Sequence, residues 1–359
     1  MKFSYSKIEC YKTCPALYKY KYLDKLYLNT TTSALFFGTA VGTVFQAICL
    51  QKKEDLTPNE KIELERGKKP YEYLDRLLKN VSINFKPWEP YHHNIEYYFA
   101  DYDELLLTDE DYAIIDQFAL SRKLVTDGNV PTFDSLKDFY KMKKLTIDEK
   151  EFMNLHFFLC LKKKGAMMID SFLKEVFPNI MKVHFIEKPI KIDVSPSDKP
   201  NSDVLEGFLD MMVDYKVTDE KLAESSGIPI GSVVPVLFDN KTSSTRYSAK
   251  DLTTSEQLSL YDYCNNVGNV GYIVAVKEIK RPKIGKRKGE CYADLQVMIG
   301  KSDKELQERV LDEVCEVIDK VYKNDFPMSG DCDRIYGKQC DYYNFCKYGK
   351  TEGLTKGKT

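Results

Sequence analysis

Nowhere in this chain of 359 residues does an apolar run approach the roughly 18 consecutive residues that a membrane span requires, so no membrane partner is expected. The opening residues, Met1-Lys2-Phe3-Ser4-Tyr5-Ser6, hold no apolar signal core, and a cytoplasmic protein is the expectation. Charge of one sign is also missing. Lys and Arg number 53 against 55 Asp and Glu, a net of -2. That excludes a basic nucleic-acid coat but not an enzyme with a local basic channel. No internal repeat is present. Cysteine is not scarce, but ten cysteines in a reducing compartment do not read as five disulfides. Six of them (Cys10, Cys49, Cys160, Cys264, Cys291 and Cys315) stand mostly in apolar or helical sequence and are expected to be small buried side chains.

What is present is ordinary globular material, 43% hydrophobic and 30% charged, enough for one large domain or two. Ser4 and Ser6 precede a short helical pattern that leads to Cys14-Pro15 and the stretch Tyr18-Lys19-Tyr20-Lys21-Tyr22. A second helix opens at Leu35 and carries Phe37-Gly38-Thr39-Ala40-Val41-Gly42, whose small residues permit close backbone approach. From about 52 to 180 the apolar spacing is helical (Tyr71 to Leu78, Asp109 to Leu124, Phe133 to Lys144, Ile147 to Phe177) and no chemical motif stands out. Strand patterns begin near residue 182: Val183 to Glu187, Ile190 to Val194, Val204 to Val217 and Val233 to Asp239. A helix is expected over Thr253 to Asn265, a hairpin from Val270–Ile279 and Cys291–Ile299 around a basic loop, and an amphipathic helix from Ser302 to Lys323. The polar tail after Lys347 reads as disordered.

Chemistry concentrates at two places in the strand region. Asp239-Asn240-Lys241 closes the apolar run Val233 to Phe238, and Gly207-Phe208-Leu209-Asp210 stands about thirty residues upstream. Residues two apart on a strand share a face, so Asp239 and Lys241 point the same way. With Asp210 from a neighbouring strand they form two acids and one amine at one spot, enough to hold a divalent metal beside a phosphodiester and orient a water. Asp148-Glu149-Lys150 and Asp219-Glu220-Lys221 repeat the Asp-x-Lys pattern in polar or helical surroundings and read as solvated charge runs; Glu278-Ile279-Lys280 is a rival at a strand end. Gln257 and Tyr261 lie one helical turn apart on one face, although Thr254-x-x-Gln257 also fits a capping box.

In this order, Gly207-x-x-Asp210, Asp239-x-Lys241-Thr242-Ser243 and Gln257-Leu258-x-x-Tyr261 resemble the RecB-like branch of the PD-(D/E)XK nucleases. Ser4-x-Ser6, Cys14-Pro15 and Phe37-Gly38-Thr39-Ala40-Val41 follow that family's opening. The resemblance implies an α/β fold with a restriction-endonuclease-like core, a central mixed sheet flanked by helices. It would assign 1–50 and 182–330 to the nuclease core, 51–181 to a helical insertion, 331–347 to a cysteine-rich segment and 348–359 to the tail. It further implies Mg²⁺ or Mn²⁺ held by Asp210, Asp239 and the backbone carbonyl of Asn240, with Lys241 acting on the attacking water and Gln257 and Tyr261 lining the groove. The implied activity is hydrolysis of DNA, as an exonuclease in recombination, repair or replication, with a possible helicase or recombination partner. The family usually has a metal-binding histidine where Gly42 stands. That departure keeps a weakened nuclease that grips DNA as the alternative.

Cys332, Cys340 and Cys346 cluster near the C-terminus, a grouping that suggests thiolate ligation of zinc or iron–sulfur with a fourth ligand from elsewhere. Iron–sulfur members of the family, the CRISPR-associated and AddB-type enzymes, pair such a group with one N-terminal cysteine before proline. The resemblance thus implies a [4Fe-4S] cluster on Cys14, Cys332, Cys340 and Cys346 that joins the two chain ends, with zinc as the alternative metal. Six basic residues in nine (Lys280, Arg281, Lys283, Lys286, Arg287 and Lys288) form a loop able to follow a phosphate backbone or to be a solvated hairpin tip. Tyr18, Tyr20 and Tyr22 do not share a helix face and are expected to pack rather than stack on bases.

Overall fold

The computed structural model describes residues 1–28, 33–82, 102–125, 129–133, 136, 146–195, 202–284, 287–329, 340, 342–351 and 354–356. The chain opens with β1 (Lys2–Phe3) and α1 (Tyr5–Thr13), where the Ser4 side chain accepts the Lys7 N–H and starts the helix. Next come α2 (Pro15–Tyr18), continued by a π-helical turn, β2 (Leu26–Leu28) and α3 (Ser33–Cys49). The helical region contains α4 (Pro58–Gly67), α5 (Pro70–Ser82), α6 (Asp109–Ser121) and α7 (Ile147–Ser171). Thr57 with Glu60, Thr108 with Asp111 and Thr146 with Glu149 close capping boxes that set where α4, α6 and α7 begin. Then follow β3 (Ile180–Asp193), β4 (Val204–Lys216), α8 (Glu220–Ser226), β5 (Val233–Ser243), α9 (Ala249–Thr253), α10 (Glu256–Asn265), β6 (Asn269–Lys280), β7 (Tyr292–Lys301), α11 (Lys304–Tyr322), α12 (Tyr343–Tyr348) and β8 (Leu354–Lys356).

β3, β4 and β5 form an antiparallel meander. β6 joins β5 in parallel after the α9–α10 crossover, β7 returns antiparallel along β6, and β1 lies parallel against the start of β4. This α/β arrangement, a mixed central sheet flanked by helices, is consistent with a restriction-endonuclease-like fold. On one face Val236, Phe238, Ile273 and Ala275 pack with Val44, Phe45 and Ile48 of α3, Leu74 of α5 and Met168 of α7. On the other, Leu209, Leu237, Val270 and Val274 pack with Leu258 and Tyr261 of α10. A further core joins α1, α2 and α11 to Cys340 and Tyr342, with Leu306, Val310, Val314, Val317 and Val321 forming the apolar face expected of α11. Tyr18 is buried there and Tyr20 and Tyr22 pack against it, as expected.

Several expected boundaries move. The two strands expected around residues 183–194 are one, β3; Pro189 is tolerated because β3 pairs only with β4 among the described strands and needs no donor on its outer edge. β5 does not stop at Asp239 but runs to Ser243, because β6 continues to pair with it as far as Ser243↔Val276. The helix expected over Thr253 to Asn265 begins later, at Glu256, where Ser255 caps α10 through Leu258 N–H; Thr253 ends the preceding α9. In the tail, expected to be disordered, Leu354–Lys356 is a strand paired antiparallel with Leu26–Leu28. Of the helix expected over Phe133 to Lys144, only Phe133 and Leu136 lie within the described residues.

Candidate active site

The site begins where the sheet splits. β4 and β5 pair from Lys216↔Val233 to Met211↔Phe238 and then part. The next residues along each strand are Asp210 and Asp239, so both carboxylates stand in the fork. Asp210 Oδ2 accepts the Asn240 N–H at 2.8 Å, a side chain taking over where the ladder has ended. Asp239 and Lys241 share the face of β5 that looks toward α10. Lys241 Nζ lies 2.6 Å from Asp239 Oδ2 and donates to Gln257 Oε1 at 3.1 Å, and Gln257 Nε2 donates to the Tyr261 hydroxyl. The five residues singled out in sequence therefore converge, and Gln257 serves Lys241 rather than capping α10. All five line one cleft of about 990 Å³, whose opposite wall is Gly38, Thr39, Gly42, Thr43 and Gln46 of α3.

Close approach of α3 to β5 is eased by Gly38. A Cβ there would meet Thr242 Oγ1 at 2.6 Å. Gly42, one turn on, is different: a Cβ would have only the Asn240 Cβ nearby, at 4.0 Å. Beside it the Asn240 side-chain amide is buried with neither its oxygen nor its nitrogen hydrogen-bonded.

The electrostatics follow from burial. Desolvation, reinforced by Asp239, pushes the Asp210 carboxyl up to about 8, against the Asn240 N–H that favours its charged form. Burial disfavours the Lys241 ammonium, yet Asp239 and Asp210 hold its pKa above the ordinary lysine value. The Tyr261 phenol is raised by burial and then by Asp239, which keeps the hydroxyl neutral while it accepts from Gln257. Asp239 is only 2% exposed, and although its Oδ2 forms the ion pair with Lys241, it lacks a well-directed hydrogen bond. Two close carboxylates, one reluctant to ionise and the other with a buried unsatisfied oxygen, fit a hard, oxygen-seeking cation. Among the described residues no three His, Cys, Asp or Glu side chains are placed to hold a metal, so an ion here would depend on two carboxylates, main-chain oxygen and water.

A backbone irregularity lies at the same level of the sheet. Ile186 and Met211 pair across β3 and β4 and pack on the α3 side, whereas the pair beyond them, Lys188 and Leu209, turns to the α10 side, where Lys188 Nζ donates to Asn265. In a regular strand residues two apart share a face. The switch falls at Glu187, φ 52°, opposite Asp210 by register. Glu187 also lines the cleft.

The remaining sequence candidates divide. Of the basic loop, Arg281 reaches the cleft, where it pairs with Asp103 at 2.8 Å. Arg287 turns away to Glu175 and Glu290 and covers the Tyr292 ring at 3.4 Å; Lys280 pairs with Glu278; Lys283 and Lys288 are exposed; Lys286 lies outside the described residues. Glu278, the rival acid, lines the same cleft but is largely exposed. Cys14 and Cys340 are buried in one core, and the Tyr20 hydroxyl contacts Cys346 Sγ at 3.8 Å; Cys332 lies outside the described residues. Burial opposes ionisation of Cys14, but hydrogen bonds from Ser329 and from the Leu17 and Ala16 N–H groups lower its pKa overall, which suits a thiolate ligand. Missed in sequence were Tyr102, Asp103 and Lys164 from the helical region. Lys164 is 4% exposed yet lines the cleft, and a lysine on an α7 face that also carries Cys160 and Leu161 gave no motif to find.

A family model described as the PD-(D/E)XK nuclease superfamily matches residues 2–94. The matched stretch carries the α3 wall of the cleft and ends before Asp210, Asp239 and Lys241. That superfamily is one of nucleases, which typically use Mg²⁺ or Mn²⁺ and act on DNA. No curated protein and no solved structure matches the chain. Among the described residues no helix is long and apolar enough to cross a membrane.

Proposed function

We propose that this protein is a metal-dependent DNA nuclease of the RecB-like type that hydrolyses strands from their ends, in recombination, repair or replication, with a helicase or recombination partner. One observation carries the reading: Asp210, Asp239 and Lys241 meet in the fork between β4 and β5. Asp210, Asp239 and the Asn240 carbonyl would hold Mg²⁺ or Mn²⁺, which when bound polarises a phosphodiester and lowers the pKa of water. Lys241 is tethered by Asp239 and Gln257, so its ammonium is fixed where it orients a water and offsets negative charge building on the phosphate. Tyr261 fixes the Gln257 amide with its oxygen toward Lys241. On the same reading Cys14, Cys332, Cys340 and Cys346 hold a [4Fe-4S] cluster, with zinc as the other metal that thiolates at these spacings could take.

Labelled single- and double-stranded DNA, with free or blocked ends, should be degraded in Mg²⁺ or Mn²⁺, and blocking the ends should stop it. Asp239→Asn and Lys241→Ala should each lower the rate by about a hundredfold or more without loss of folding. Full activity in either variant refutes the assignment. Gly42 supports a second reading, a nuclease fold that grips DNA without efficient chemistry. DNA binding with no cleavage in either metal would favour it.

A further inference from the structure

Phe208 leaves a large apolar side chain in solvent at the mouth of the cleft. It is 61% exposed, lines the cleft, and stands on β4 two residues before Asp210. Its cross-strand neighbour Pro189 is exposed as well, and neither belongs to a hydrophobic core of the described residues. A lone surface phenylalanine needs no explanation. This one borders the carboxylates and lysine of the proposed cutting site. Leu209 is fully buried under α10, so strand alternation turns Phe208 to the other face of β4, from which it lines the cleft.

Two residues of strand separate Phe208 from Asp210 by about 7 Å, which is within reach of the nucleotide attached to a phosphate held in the fork. A phenyl ring offers nothing to a phosphate oxygen, but its face stacks on any base whose own face is free. A base inside a duplex already stacks on its neighbours, so the matching occupant is an unpaired base. We propose that Phe208 is a stacking platform that seats the unpaired base adjoining the scissile phosphate. The proposal rests on the nuclease reading and adds to it a preference for single-stranded DNA at that position.

The test uses full-length protein carrying Lys241→Ala, so that labelled single strands stay intact, with and without Phe208→Ala or Phe208→Tyr. Phe208→Ala should weaken binding about 5- to 150-fold at an unchanged melting temperature, and Phe208→Tyr should restore most of it. An abasic nucleotide is then moved along the strand. At one position it should cost the Phe208 protein the same factor while costing the Phe208→Ala protein nothing. Equal affinity with and without Phe208, or an abasic penalty that is the same in both proteins at every position, overturns the platform and leaves the nuclease reading standing. A Lys241→Ala protein that binds no DNA, alongside a parent that cuts none, overturns both.

Discussion

Asp210 is held in the fork at an electrostatic cost that the metal-free protein bears alone. Its carboxyl, pushed up to about 8 by burial and by Asp239, titrates far above the ordinary value near 4 that it has in the unfolded chain. Between those two values the folded state binds a proton that the unfolded state does not. Stability of the metal-free protein therefore falls as pH rises through that window, and the contribution is gone above the folded pKa. Asparagine at 210 keeps an oxygen for the Asn240 N–H and removes the charge. Asp210→Asn should melt higher than the parent without metal, with a gap that widens from pH 5 to pH 8 and reaches a few kcal/mol at most. Mg²⁺ should raise the parent's melting temperature and leave the variant's unchanged. Thermal melts across pH, with and without the ion, check both; a variant that melts below its parent at pH 8 would mean that Lys241 already neutralises the pair. At this scale the sequence was legible where a period of two sufficed: Asp239 and Lys241 had to share a face, and they do. Lys164, Asp103 and Phe208 were not legible, because their places in the cleft depend on how α7, the turn at Asp103 and β4 meet it and no local pattern encodes that.

At the scale of elements, two glycines make opposite demands. Gly271 lies in β6 where a Cβ would stand 2.3 Å from the Met298 carbonyl oxygen and 2.7 Å from the Phe238 ring, so β6 and β7 could accept alanine only by moving apart. Gly271→Ala should destabilise the protein by about 1–3 kcal/mol or more. Gly42 in α3 has open space, and Gly42→Ala should be neutral or gain about 0.5–1 kcal/mol from helix propensity. Denaturant unfolding of the pair checks both signs, and equal effects would contradict the stated packing of β6. Element types were readable because burial imposes periodicity. The apolar face of α11 and the β6–β7 hairpin appear as expected. Boundaries were harder to read where pairing outruns hydrophobicity: the polar end of β5 looks like a loop until β6 is placed beside it, and Glu187 and Pro189 look like a break until β4 carries β3 past them.

For the whole molecule, the decisive feature is that the two chain ends are one structural unit. β2 pairs with β8, Ala16 N–H donates to Pro327 O, the Tyr342 hydroxyl donates to Leu26 O, and Cys14 and Cys340 share a core across more than three hundred residues of sequence. In the sequence only the family resemblance, carried by Cys14-Pro15 and the C-terminal cysteines, implied this, since contacts between distant segments leave no periodic trace. If the thiols carry a cluster, it closes a loop of more than three hundred residues, and its loss is felt as a change in the unfolded state as much as in the folded one. Protein purified without oxygen should be brown. Cys14→Ser should bleach it and cost about 2–5 kcal/mol, on the scale of losing a covalent tie across a long loop. Asp239→Asn should keep the colour while losing cleavage, because Cys14 and Cys340 sit in a core separate from the one that packs beside the fork. Visible absorbance, iron and zinc content and melting of the two variants decide the matter. Colourless protein with stoichiometric zinc would make the tie a zinc site, and protein free of both metals that melts as the Cys14→Ser variant does would leave β2–β8 pairing and the shared core to hold the ends unaided.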